Sequence, residues 1–151
     1  KLGGNHIEEL PKYQLAANHS PDDKIAVLHR IIGYILESSA VACKIMIFTN
    51  NHKWIQEFLS LNYVEHEAGY LATCGNKKEM DKMVLAYKSG FMTFLVSNPC
   101  MYGCGMNFEN TTDLILMHNV ENIGQVIGRA QRYGRNTPLK IWYIQYENEK
   151  I

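Results

Sequence analysis

A chain of 151 residues has room for one domain and can bury about two-thirds of its unfolded surface, so it needs no disulfide or metal staple. Its composition is that of a globular protein, 46% hydrophobic and 20% charged, and its 15 basic side chains cancel its 15 acidic ones. No global field draws in nucleic acid, so any such partner must be met by a local patch. No apolar run approaches the length of a membrane span, and Lys1–Pro11 has no signal-peptide core. The missing initiator Met suggests a piece of a longer protein. Of the four cysteines, Cys43, Cys74, Cys100 and Cys104, only the last two are close. A lone C-x3-C is a weak zinc signal, so free thiols in a reducing compartment, cytoplasm or nucleus, are expected.

Lys1–Ala17 reads as irregular, loosened by Gly3-Gly4 and broken by Pro11, and residues 1–19 are taken as an N-terminal extension ahead of a domain at 20–151. Ser20-Pro21-Asp22-Asp23 opens a helix with a cap, a proline at the first position and acids against the dipole. Ile25, Leu28, Ile32, Ile35 and Leu36 form its apolar stripe, to about Glu37. Lys44–Thr49 carries four consecutive apolar residues, the pattern of a strand covered on both faces. His52–Leu61 is helical, with Trp54, Ile55, Phe58 and Leu59 inward. A second strand falls at Tyr63–Val64 or at Gly69–Thr73. Lys77–Tyr87 is a third helix with Met80, Met83, Val84 and Tyr87 inward, and Met92–Val96 and Leu114–Met117 are two more buried strands. A helix over Gln125–Arg135 and a strand over Leu139–Tyr146 complete the chain. Alternation of this kind predicts an α/β fold, a mostly parallel sheet flanked by helices on both faces.

Ligands of open α/β sheets collect beyond the carboxyl ends of the strands. Here each strand runs into small polar residues: Thr49-Asn50-Asn51, Thr73-Cys74-Gly75-Asn76, Ser97-Asn98 and His118-Asn119. Turns favour such residues anyway, but their recurrence at four strand ends points to a binding rim. The long loop Asn98–Thr112 carries Gly103, Gly105 and Asn107, and glycines allow close backbone approach to a phosphate or ribose. Within Gln125–Arg135, helical spacing puts Gln125, Arg129 and Arg132 on one face. Two guanidiniums so placed suit phosphate oxygens, though a solvated basic face has the same spacing. No G-x-x-x-x-G-K-[ST] occurs, nor a paired acid after a strand to hold magnesium, so the chain reads as half of a nucleotide site.

Gln125–Arg135 resembles motif VI of superfamily-two helicases, Q-x-x-G-R-x-x-R. Ser97–Phe108 resembles their motif V, Lys44–Asn51 looks like motif IV, and Gly75 with its following helix looks like the segment between them. The resemblance spans Ser20 to Tyr146 and is nearest the Swi/Snf-type branch, whose Asn-His step is echoed by Asn18-His19, and to versions carried by large DNA viruses. Gln131 stands where that branch has histidine and Arg135 where it has glutamine. The segment after Gly75 is shorter than usual, lacks an arginine ahead of Tyr87, and motif V is longer around Pro99–Met101.

The resemblance implies a three-layer RecA-like domain, the C-terminal lobe of a two-lobe motor with ATP and Mg2+ held mainly by an N-terminal lobe. It implies that Arg132 is the arginine finger on the γ-phosphate, that Arg129 is its partner, contacting phosphate or the first lobe's acid, and that Gln125 orients them or contacts the attacking water's network. Gly105 and Asn107 would lie near the ribose and lobe interface, while Thr49, Asn50, Gly75 and Ser97 would touch a DNA or RNA backbone. The fragment is expected to be monomeric and inactive alone. The alternative is a non-catalytic RecA-like scaffold that binds nucleic acid or a protein.

Overall fold

The structure, a computed structural model, describes residues 7–9, 13–15, 21–38, 43–63, 68–71, 77–89, 92–97, 111–118 and 139–146. In chain order its elements are β1 (Ile7–Glu9), β2 (Tyr13–Leu15), α1 (Pro21–Ser38), β3 (Ile45–Phe48), α2 (His52–Asn62) and β4 (Ala68–Leu71). They are followed by α3 (Lys77–Lys88), β5 (Phe94–Ser97), β6 (Asp113–Leu116) and β7 (Leu139–Tyr146). The expected helix at Gln125–Arg135 lies outside the described residues.

All strand pairings are parallel, in the order β1-β7-β6-β3-β5-β4, with β2 also on β7. The α/β reading therefore holds, and the sheet is parallel throughout the described residues. β3 sits centrally, with Ile45 opposite Phe94 on one side and Asp113 on the other. Its burial is complete along Ile45–Phe48, as are those of β5 and β6, which is why these strands show apolar runs rather than alternation.

One core lies between the sheet and helices α1 and α2. Val27, Leu28, Ile31, Ile32 and Ile35 of α1 and Ile55 and Leu59 of α2 meet Ile45, Ile47, Phe94, Val96, Ile115, Met117, Trp142 and Ile144. The strand residues share one parity in each strand, as pleating requires. The path from β3 to β4 runs one way across the sheet and the path from β4 to β5 runs back. Right-handed crossovers therefore need α2 and α3 on opposite faces. Consistently, among the described residues Tyr87 of α3 is buried but is not part of the core beneath α1 and α2.

α2 starts where Asn51 caps it, its side-chain oxygen accepting from Trp54 N at 3.4 Å, and stops where the Tyr63 N–H meets the Leu59 carbonyl at 2.8 Å. Tyr63 thus ends a helix, and the strand expected at one of two places is the later one. Trp54 and Phe58, expected inward, are partly buried against the core rather than within it.

The N-terminal stretch differs from its reading as irregular. Ile7–Glu9 pairs with Leu139–Ile141 and Tyr13–Leu15 with Ile144–Tyr146, so both strands follow the outer edge of β7. Pro11, which has no N–H to give, falls between them. Strands of three residues show no period, and their partner lies at the far end of the chain, so local sequence carries no sign of them.

Candidate functional site

Parallel pairing brings the carboxyl ends of the strands to one border. The connection leaving β3 runs toward β5 and β4, whereas that leaving β6 runs toward β7. The crevice between β3 and β6 is thus the switch point of the sheet, where α/β folds place ligands.

At that point the ladder continues one residue past the strands. Thr49 N donates to the Ser97 carbonyl and Met117 N to the Phe48 carbonyl, each at 3.0 Å. The Thr49 hydroxyl accepts from Asn51 N at 3.0 Å and lies 3.4 Å from His118 Nε2. Thr49-Asn50-Asn51 leads directly into the N-terminus of α2, whose dipole favours an anion. Lys24, in the first turn of α1, reaches the same border. Its ammonium donates to the Met117 carbonyl and stands 4.6 Å from the centroid of the Tyr146 ring.

Burial divides the rim. Thr49 and Ser97 are 1% and 2% exposed, so their side chains have almost no surface to offer a ligand, while Asn50 is exposed and His118 half-buried. Of the residues singled out from sequence, the structure therefore brings Thr49, Asn50 and Ser97 to one border, with only Asn50 facing outward. Gly75, Gly105, Asn107, Gln125, Arg129 and Arg132 lie outside the described residues. Sequence reading placed His118 on the rim without a role and missed Lys24. The one available sign of Lys24 was its position, a turn ahead of Leu28 on the apolar stripe.

The opposite, amino border is closed by its own contacts. The Lys44 ammonium donates to the Met92 carbonyl and lies 5.5 Å from the Tyr87 ring centroid. Tyr87 and Thr111 hydroxyls meet at 2.8 Å, and the Asp113 carboxylate accepts from Thr112 Oγ1 at 2.7 Å and from Trp142 Nε1 at 2.9 Å. Burial lowers the Lys44 ammonium from the ordinary lysine value, with the neighbouring Cys43 thiol pulling the other way. Among the described residues no group of three or more His, Cys, Asp or Glu could hold a metal ion, and no helix is long and apolar enough to cross a membrane.

No protein-family model matches the chain. It is 29% identical over 129 residues to the "Putative helicase" of Acanthamoeba polyphaga mimivirus, a match covering 84% of this chain and 15% of the relative. The chain therefore spans less than a sixth of that relative's length. Among solved structures it is similar to the C-terminal part of the Fun30 ATPase domain, with a TM-score of 0.72, 17% identity and coverage of 87% of this chain and 44% of that one. The Swi2/Snf2 ATPase core of Sulfolobus solfataricus, solved in complex with double-stranded DNA, gives a TM-score of 0.67 and 21% identity over 82% of this chain and 26% of that one. The Hef helicase domain of Pyrococcus furiosus gives 0.63 and 19% over 83% and 26%. The three-layer RecA-like architecture expected from the motifs is thus the one observed; in sequence the chain resembles a viral helicase, and in fold it resembles the ATPase domains of Fun30 and Swi2/Snf2.

Proposed function

We propose that this chain is the C-terminal motor lobe of an ATP-dependent nucleic-acid helicase or translocase, its domain taking in β1 and β2 together with residues 20–151. The observation that carries the reading is where the motif falls. Gln125, Arg129 and Arg132 belong to the connection between β6 and β7, and that connection leaves the sheet at the switch point beside Thr49 and His118.

In this reading ATP lies between two lobes. The absent N-terminal lobe supplies the phosphate loop and the acid for Mg2+. This lobe supplies Arg132 to the γ-phosphate, Arg129 beside it and Gln125 to orient both, with Gly105 and Asn107 at the ribose. Such a finger is worth ~10³–10⁵ in rate because it places positive charge where phosphoryl transfer develops negative charge. Since the fingers ride on one lobe and the phosphate loop on the other, hydrolysis waits on lobe closure.

The exposed Asn50, with Gly75, would meet the sugar-phosphate backbone of DNA or RNA, while the buried Thr49 and Ser97 shape the turn that presents it. The fit is to phosphate rather than to base: the described rim offers the Asn50 amide and a helix N-terminus, which position a backbone without reading sequence.

The test is ATP turnover by the full-length protein, stimulated in turn by single-stranded and duplex DNA and RNA. Arg132→Ala is expected to abolish turnover while leaving ATP binding largely intact. Unchanged turnover removes Arg132 from the role and favours the scaffold reading.

A further inference from the structure

A lysine that is 3% exposed is costly to bury, and a methionine of similar length would fill the same space without the desolvation. The ammonium of Lys24 grips the Met117 carbonyl. Met117, one residue beyond β6, is held on both sides of its backbone: its N–H by the Phe48 carbonyl of β3, its C=O by Lys24 of α1. The next residue, His118, meets the Thr49 hydroxyl. The Tyr146 ring, at the end of β7, faces the same ammonium. Three elements therefore converge on the point where the chain leaves β6.

We propose that Lys24 is a positioning residue, a strut from the first turn of α1 that sets the exit of the chain from β6. It thereby sets where His118 and the following connection, with Gln125, Arg129 and Arg132, begin. The catalytic part of this inference rests on the motor reading, whereas the strut itself does not. The ammonium acts on the backbone of Met117. It fixes the base from which the fingers depart, and small displacements of such a base are felt strongly in phosphoryl transfer.

The experiment compares Lys24→Met and Lys24→Arg with the parent in the full-length protein, by amide hydrogen exchange and by nucleic-acid-stimulated ATP turnover. Lys24→Met keeps the apolar stem and loses the grip. It is expected to speed exchange at Met117 and His118 about tenfold while Val96 and Ser97 of β5 stay as they were. It is also expected to lower kcat about tenfold with KM for ATP within about twofold. Lys24→Arg, which keeps a cation, should recover most of both. Exchange unchanged at Met117 and His118, or accelerated equally along β5, overturns the strut. Local acceleration with unchanged kcat overturns the positioning role. If the parent itself turns over no ATP, the motor reading falls, and the contrast between Met117 and Ser97 alone decides the strut. Should Lys24→Met fail to fold, Tyr146→Leu removes the facing ring and keeps the ammonium. A smaller acceleration confined to Met117 and His118 supports the strut, and none overturns it.

Discussion

Thr49 turns its hydroxyl inward, to the Asn51 amide and toward His118, and this decides what its loss should do. A threonine that gripped a ligand would give up affinity and keep stability. A buried threonine that serves a backbone N–H should do the reverse. Thr49→Val is expected to cost about 0.5–1.5 kcal/mol in urea denaturation, because the hydrogen bond to the Asn51 amide is lost. Asn50→Ala, at an exposed position, should leave stability nearly unchanged and weaken nucleic-acid binding. Equal stability of Thr49→Val and the parent would contradict the division of the rim into holder and presenter.

Tyr63 offers a second test at this scale. Its hydroxyl lies 2.8 Å from His29 Nδ1, its ring packs near Phe58 and Phe94, and burial raises the phenol above its ordinary 10.0. Above that pH the unfolded chain ionises first and holds fewer protons than the folded one. The stability due to this shift is therefore whole below pH 10.0 and drains away as pH rises through the folded value. Lys44, lowered from 10.5, has the opposite sign: between its folded value and 10.5 the unfolded chain holds more protons, so stability rises with pH. Tyr63→Phe should flatten the alkaline loss, and Lys44→Met should steepen it. Denaturation midpoints taken on both sides of pH 10.0 separate the two. Neither environment was legible in the sequence, because each depends on which strand and helix ends meet across the sheet.

At the scale of elements, sequence and structure agree wherever a segment is long and periodic or wholly apolar. The span of α1 follows from its proline start and its stripe, and β3 from four apolar residues in a row. Agreement fails where tertiary contacts choose. Tyr63 has the β propensity of a strand former, but its backbone closes α2. Ile31, left out of the expected stripe, is buried because a helix resting on a broad sheet buries more than one row. Two substitutions address the helices directly. Gly33 lies within α1, and a Cβ there would meet nothing within 4 Å. Gly33→Ala should therefore add about 0.5–1 kcal/mol in thermal or urea denaturation. Asn51→Ala removes the cap of α2 and should cost about 0.5–2 kcal/mol by the same measurement.

At the scale of the whole molecule, the chain is a folded platform whose proposed chemistry requires a second body. The prediction is that residues 1–151 alone hydrolyse no ATP above a no-enzyme control, while the full-length protein does so and loses it with Arg132→Ala. Measurable turnover by purified residues 1–151 would falsify the half-site reading. The parallel sheet and its polar border were legible because buried runs and polar strand ends recur along the chain. The strut at Lys24 was not, because it joins residues that only the closed sheet brings together.

The pairing of β1 and β2 with β7 works as a clasp between the two ends of the sequence. Among the described residues, β1 and β2 have no strand to pair with until Leu139–Tyr146 has been made, so this pairing forms after those of β3, β5 and β6 as the chain emerges from a ribosome. Cutting residues 1–15 away should leave the flank of an eight-residue strand bare. The trimmed protein is then expected to self-associate in light scattering at concentrations where the intact one stays dispersed.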